Sequence, residues 1–411
     1  MLKTIKNAAY LIFIQGLGYL SPLIVGYLII NRSGIEAFGE YSVYFSLALY
    51  CQVLFDMGHQ FTATRRIASD PENISHISAV YWNAYAVKAV MLLLGVLLIF
   101  VVAVTVSLDT SQLLAALGYG VAAAGLPIWF FHGTDRFRQV ALLIFASRVT
   151  SLVVILLFYT SGDSTAKVLW HQSWPNLLLA VGVALVLRRS GSLNALSKVS
   201  INIREEFRGT LHVMSSSLGG SAMANMPLLV LGILKSDYIV GVYAGADRLI
   251  KVLSSAMMPI SQAAFPVNSA RFADSTAAGL RSVIQLGSLL LVAFVIMVAG
   301  VWLLGDLYFQ HFQLPDESRD VLLLLLGWLF WGVMNNIIGI QGLLAAGYGN
   351  VYNISVWGAV AITLALLVLL VPKLGAIGTA LAVLLGEFSM FLLMSCYSLW
   401  LKVKRHGRGE T

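Results

Sequence analysis

Lys88, Arg148, Arg248, Lys251 and Glu387 all lie inside long apolar runs of this chain, and they are the residues whose position demands chemistry. A charge near the centre of a bilayer costs on the order of 2.5–3.5 kcal/mol, so each needs a partner, a water-filled cavity or reach to the interface. Arg148 falls about nine residues into its run, near the midplane at roughly 1.5 Å per residue, which marks it as a cavity-facing cation or half of an ion pair. Lys88 lies closer to the end of its run, where snorkelling competes with function. Asp247 and Lys251, four residues apart, pair on one helix face, and Arg248 is the second candidate cation. Together these cations would suit an anion. Glu387 either neutralises a cation such as Lys251 or holds a coupling proton. Asp56 and Asp135, at the ends of runs, take capping or loop roles.

The elements that position these groups must be membrane helices. The chain of 411 residues is 59% hydrophobic and only 11% charged, with a mean hydropathy of +0.84, whereas about a quarter of the residues of an ordinary soluble domain are charged. Twelve runs of about 20 residues, the length that crosses a hydrocarbon core, fall near 8–30, 41–58, 82–104, 113–131, 140–159, 168–187, 211–234, 239–265, 283–304, 321–342, 351–371 and 377–401. The fold expected is an all-α polytopic membrane protein of about 12 transmembrane helices in two pseudo-repeated six-helix lobes. The N-lobe spans 1–187, a basic linker 188–210, the C-lobe 211–401 and a basic tail 402–411. Arg188, Arg189, Lys198, Arg204 and Arg208 make the linker basic. Alternate loops and both ends hold most Lys and Arg, including Lys3, Lys6, Arg65, Arg66, Arg136, Arg138, Arg271, Arg281, Lys402 and Lys404. The opposite loops hold Arg32, Lys167, Lys235, Arg319 and Lys373. The bias predicts that both termini are cytoplasmic.

The halves look like copies. Gly39-Glu40-Tyr41 and Gly241-Val242-Tyr243 each open a helix, and the run before each is expected to be interrupted, at Gly16, Gly18 and Pro22 and at Gly219, Gly220 and Pro227. Parallel repeats with broken helices suit an alternating-access carrier with its site between the halves. His132, His171 and His212 lack metal-ligand spacing, and Cys51 and Cys396 read as reduced thiols. Asn225, Asn335, Asn336 and Gln341, with Ser215, Ser216 and Ser217, would line a polar cavity or bond between helices. Trp129, Trp170, Trp174 and Trp302, near segment ends, read as interfacial belt residues. No Gly-rich phosphate loop follows a strand, so no ATP-driven step is expected.

Three stretches carry a resemblance: Asp56-Met57-Gly58 followed by Ala63-Thr64-Arg65-Arg66-Ile67-Ala68; Trp129-Phe130-Phe131-His132-Gly133-Thr134-Asp135; and Gly241-Val242-Tyr243-Ala244-Gly245-Ala246. In this order they resemble the motifs of the Wzx-type O-antigen unit flippases of the multidrug/oligosaccharidyl-lipid/polysaccharide exporter superfamily, with Asp56, Gly58, Arg65, Gly133, Asp135, Gly241 and Tyr243 as the matching positions. His59, Gln60 and His132 depart from the residues expected there in many members. The resemblance implies two six-helix lobes and a cargo of undecaprenyl-diphosphate-linked oligosaccharide, moved between leaflets of the bacterial inner membrane. It implies no cofactor. Partners would be the lipid-linked sugar, membrane lipid and possible contacts with a polysaccharide polymerase and chain-length regulator.

A diphosphate needs cations along its path, which Lys88, Arg148, Arg248 and Lys251 would supply. A multidrug or small-solute antiporter on the same fold is the alternative, and it should show acidic groups in its cavity. A membrane-embedded glycan polymerase would need a larger outward loop than this chain has.

Overall fold

A computed structural model describes the backbone of residues 2–105 and 109–406 and the side chains of residues 16, 18, 20–97, 109–211, 213–215 and 217–397. His212, Ser216, Lys3, Lys6 and the basic tail from residue 402 therefore lie outside the described side chains. The elements are α1 (Leu2–Asp56), α2 (His59–Ser69), α3 (Ile74–Thr105), α4 (Thr110–Gly125), α5 (Ile128–Gly133), α6 (Phe137–Phe158), α7 (Thr165–Arg189), a 3-10 turn (Leu196–Lys198), α8 (Ile203–Leu234), α9 (Asp237–Asp274), α10 (Thr276–His311), α11 (Glu317–Asn335), a π-helical segment (Asn336–Leu344) and α12 (Gly349–His406). Among the described residues there is no strand. Seven stretches are long and apolar enough to cross a membrane, by length and composition among those residues. The all-α polytopic class is what the apolar runs require.

Two of the long helices are each a pair. Gly34 takes φ 87° inside α1, and Gly375 takes φ 55° inside α12. An L side chain is strained at such angles, so each glycine turns the chain without leaving the helical path for long. Gly16, Gly18, Pro22, Gly219, Gly220 and Pro227 do not interrupt anything: α1 and α8 are helical through all six. A proline fits helical φ and forfeits one backbone bond, which membrane helices tolerate. The true break falls at Leu126-Pro127, between α4 and α5, inside one apolar stretch.

The chain divides into two compact units, Met1–Ser33 with Glu40–Asn225 and Gly34–Gly39 with Met226–Thr411. In the first, α4 packs on α7, α7 on α6, and α2 on α5 and α3. Its core gathers Ile67, Tyr81, Ala84, Trp129, Phe130 and Leu187. Trp129 is thus a core residue, 1% exposed, and not an interfacial one; the turn at Pro127 swings it inward. Trp174 and Trp302 are exposed. The basic linker is stitched to α3: Trp82 donates to the Asn194 carbonyl, Ser78 accepts from the Asn194 N–H, and Asn83 bonds Ser200 and Asn202. Asn202 then caps α8, accepting from the Glu205 N–H and donating to its carboxylate. That cap starts α8 at Ile203, inside the stretch expected to be linker.

In the second unit α9 packs on α10, α11 and α12, and α11 packs on α12. Gly39 and Gly241 form one crossing there. A methyl on Gly39 would strike the Asp237 carbonyl, and one on Gly241 the Ile35 carbonyl. Small residues allow such backbone approach, so the repeated glycines are each other's reason.

Candidate functional site

Lys88 of α3 occupies the break between α4 and α5. Its ammonium donates to the Ala124 carbonyl at 2.6 Å and lies 3.5 Å from the Asp56 carboxylate. It also lies over the Tyr85 and Trp129 rings. The Tyr85 hydroxyl donates to the Gly125 carbonyl. Two carbonyls left open where the helix breaks at Leu126-Pro127 are thereby satisfied from α3, as buried backbone requires. Asp56 in turn accepts from the Gln60 N–H at 3.1 Å and caps α2. Lys88 is 8% exposed, and its charge is committed to Asp56.

Arg148 of α6 is different. Its one hydrogen bond among the described residues is the 3.5 Å contact from Nη1 to the Tyr119 hydroxyl, and it makes no ion pair there. Tyr119 is held edge-on by Phe45, which stacks on Tyr41. The Tyr41 hydroxyl donates to Gln172, and Ser147 bonds Asn176. These buried polar groups satisfy one another and leave most of the guanidinium donors of a half-buried arginine unused.

In the second unit Asp247 and Lys251 pair at 2.7 Å, as their spacing predicts. Arg248 lies over the Phe38 ring, 4.8 Å from its centroid. Among the described residues Glu387 faces no cation; it accepts from Asn335 Nδ2 at 2.5 Å, and the same amide donates to the Glu387 carbonyl. Lys251 therefore does not neutralise it, because Asp247 lies one turn away on the same helix. Asn336 accepts from Ser261, while Gln341 donates to Ser261 and accepts from Asn268. These bonds tie the π-helical segment to α9. Asn225, by contrast, bonds locally to Ser221.

The motif positions are mostly structural. Gly58 caps α2 at φ 76°, where a methyl would meet Val213. A methyl on Gly133 would meet Ile67 and the Thr64 carbonyl, which sets the α2–α5 contact. Asp135 takes φ 57° in the turn after α5 and is exposed, as is Arg65. Tyr243 is 2% exposed.

The sequence gives no sign that His59 and Arg66 meet Glu206. Arg66 donates to Glu206 at 2.6 Å, and His59 lies 3.4 Å from the same carboxylate. Burial pushes the Glu206 carboxyl up, but the His59 and Arg66 partners outweigh it and hold its pKa below the ordinary 4.5. The available signal was the 59, 63, 67 spacing, which lays His59, Ala63 and Ile67 along the buried face of α2.

Comparison with known proteins gives the family and the fold. The family model described as polysaccharide biosynthesis protein matches residues 4–272. The protein named "Putative O-antigen transporter" of Escherichia coli (strain K12) is 23% identical over 398 residues, covering 95% of each chain. Among solved structures, an inward-facing multidrug resistance MATE family transporter of the MOP superfamily superposes with a TM-score of 0.71 at 14% identity, over 98% of this chain and 96% of that one. A MOP superfamily transporter from Pyrococcus furiosus gives 0.64 at 14% identity, over 100% and 96%. The fold is therefore that of the MATE/MOP transporters.

Proposed function

The chain belongs to the polysaccharide biosynthesis protein family, and from that premise we propose that it flips an undecaprenyl-diphosphate-linked oligosaccharide, an O-antigen or related repeat unit, by alternating access. The cargo passes from the inner to the outer leaflet of the bacterial inner membrane, with both termini of the carrier cytoplasmic. Family, relative and fold make the chain a polysaccharide-related, multi-pass membrane transporter rather than an enzyme.

The observation that carries the finer reading is Arg148, a mid-helix guanidinium with no carboxylate against it among the described residues. A fork of unused N–H donors in a membrane helix is a phosphate receptor in search of its anion. Arg248 is the second candidate cation. Lys88 and Lys251, each facing a carboxylate, take supporting roles. Glu387, buried and with no cation against it among the described residues, is the candidate carboxylate for ion or proton coupling.

The test deletes the gene in a cell carrying the matching glycan pathway and restores it with wild type or Arg148→Ala. Inner-leaflet accumulation of the lipid-linked unit, cured by wild type and not by a normally inserted Arg148→Ala, supports the reading. Unchanged appearance of the unit in the outer leaflet without the protein, in a strain lacking other flippases, refutes it.

A further inference from the structure

His59 is completely buried on α2, and its surroundings dictate where its protons can be. Its Nδ1 lies 2.6 Å from the Asp56 carbonyl oxygen. A carbonyl only accepts, so Nδ1 carries a hydrogen. The other ring nitrogen, Nε2, points at Glu206 Oε1 across 3.4 Å. Both atoms are buried, and neither has a hydrogen-bond partner. With a lone pair on Nε2, two acceptors confront each other inside the protein, an arrangement folded chains avoid. One proton on Nε2 satisfies both atoms and converts the confrontation into a charge-assisted hydrogen bond.

The neighbours determine which charge His59 faces. The second oxygen of Glu206 is held by Arg66, whose side chain is 44% exposed and gives the pair a border with water. Asp56 is engaged by the Gln60 N–H and by Lys88 of α3. From α5, His132 Nδ1 meets the Gln60 side chain, and from α3, His76 Nε2 meets the Arg66 carbonyl. Lys88 is thus offset by Asp56, and Glu206 is the charge that faces His59.

We propose that His59 and Glu206 form a proton-binding site. A proton taken from the adjoining aqueous phase onto His59 Nε2 closes the bond to Glu206 and clamps the first turns of α8 onto α2; its return to water opens the clamp. Glu206 stands near the start of α8, a helix that runs through Asn225 of the first unit into Met226 of the second. A proton bound at its foot therefore acts on an element that belongs to both units. Binding of the proton needs no assumption about cargo; its use in transport rests on the carrier reading above.

The experiment uses the full chain in lipid nanodiscs and reads hydrogen exchange of the 203–210 amides, corrected for intrinsic rates, from about pH 5 to about pH 8. Wild type should lose protection there by on the order of tenfold as the pH rises, what one hydrogen bond to a charged group is worth. Glu206→Gln should flatten that dependence while protection in α11 stays unchanged. Nitrogen-15 histidine NMR of the wild type should show one ring passing from doubly protonated to the Nδ1–H form, a signal absent from His59→Gln. If neither variant folds, the wild-type exchange profile alone decides. A pH-independent profile in wild type, or an identical profile in Glu206→Gln, overturns the proposal. Because neither readout is transport, its failure is separate from failure of the flippase reading.

Discussion

Arg148→Ala should weaken cargo binding and leave the fold alone. The guanidinium has five N–H donors, and its one hydrogen-bond partner among the described residues is the Tyr119 hydroxyl at 3.5 Å, too long to contribute much. Truncation therefore leaves no carboxylate unpaired, and the melting temperature should move by no more than an exposed substitution moves it, within about 0.5 kcal/mol. The ligand side is different. A hydrogen bond to a charged group is worth about 1.5–3 kcal/mol, and at about 1.4 kcal/mol per decade one lost bond weakens binding about 10- to 100-fold. A bidentate phosphate contact would lose more, though not twice as much. Arg148→Lys keeps the charge and loses the fork, so it should fall between. The assay is titration of a short-chain polyprenyl diphosphate sugar into detergent-solubilised protein, alongside a thermal melt. Undiminished affinity in Arg148→Ala would refute the reasoning, and so would affinity lost in step with a large drop in melting temperature, since the arginine would then be holding the fold.

The remaining expectations are briefer. Lys88→Met should behave oppositely to Arg148→Ala, destabilising by about 3 kcal/mol because it strands Asp56 and the Ala124 carbonyl; a thermal melt reads this, and adding Asp56→Asn should recover part of the loss. Gly241→Ala forces a methyl onto the Ile35 carbonyl and should cost about 1–3 kcal/mol in the same assay. The Glu206 carboxyl is held below its ordinary 4.5, so its stabilisation is complete above that value and is lost as the pH falls through the folded-state value. Acid unfolding followed by tryptophan fluorescence should accordingly lose part of its steepness below about pH 4.5 in Glu206→Gln. Glu387→Gln should abolish the response of transport in proteoliposomes to an imposed pH gradient; a full response in the variant would remove Glu387 from coupling.

The class of the fold and the pairing of Asp247 with Lys251 were legible because both depend on local spacing: run length for one, a four-residue helical step for the other. Arg148 was legible by depth alone. Lys88 was not, since its partners Asp56 and Ala124 lie more than thirty positions away in either direction along the chain. The proline signal misled for a related reason. Pro22 and Pro227 look as disruptive in sequence as Pro127, yet the helix runs on through the first two and breaks at the third, where a lysine and a tyrosine from another helix donate to the carbonyls left open. Trp129 read as a belt residue because its position near a segment end was visible and the turn that buries it was not. The amphipathic α2 is too short and too polar to register in a search for spanning runs, and His59 went with it.

The π-helical segment at Asn336–Leu344 has a consequence for how this chain tolerates changes of length. The Ala345 N–H reaches back five residues to the Ile340 carbonyl instead of four, so the stretch accommodates a surplus residue relative to an α-helix of equal rise. Deleting one residue there would let the backbone relax to ordinary α geometry with every main-chain bond remade. The register would not survive as easily, because Asn336 and Gln341 would rotate away from Ser261 and Asn268. A one-residue gap in this place is thus neutral for the helix and decisive for its neighbours.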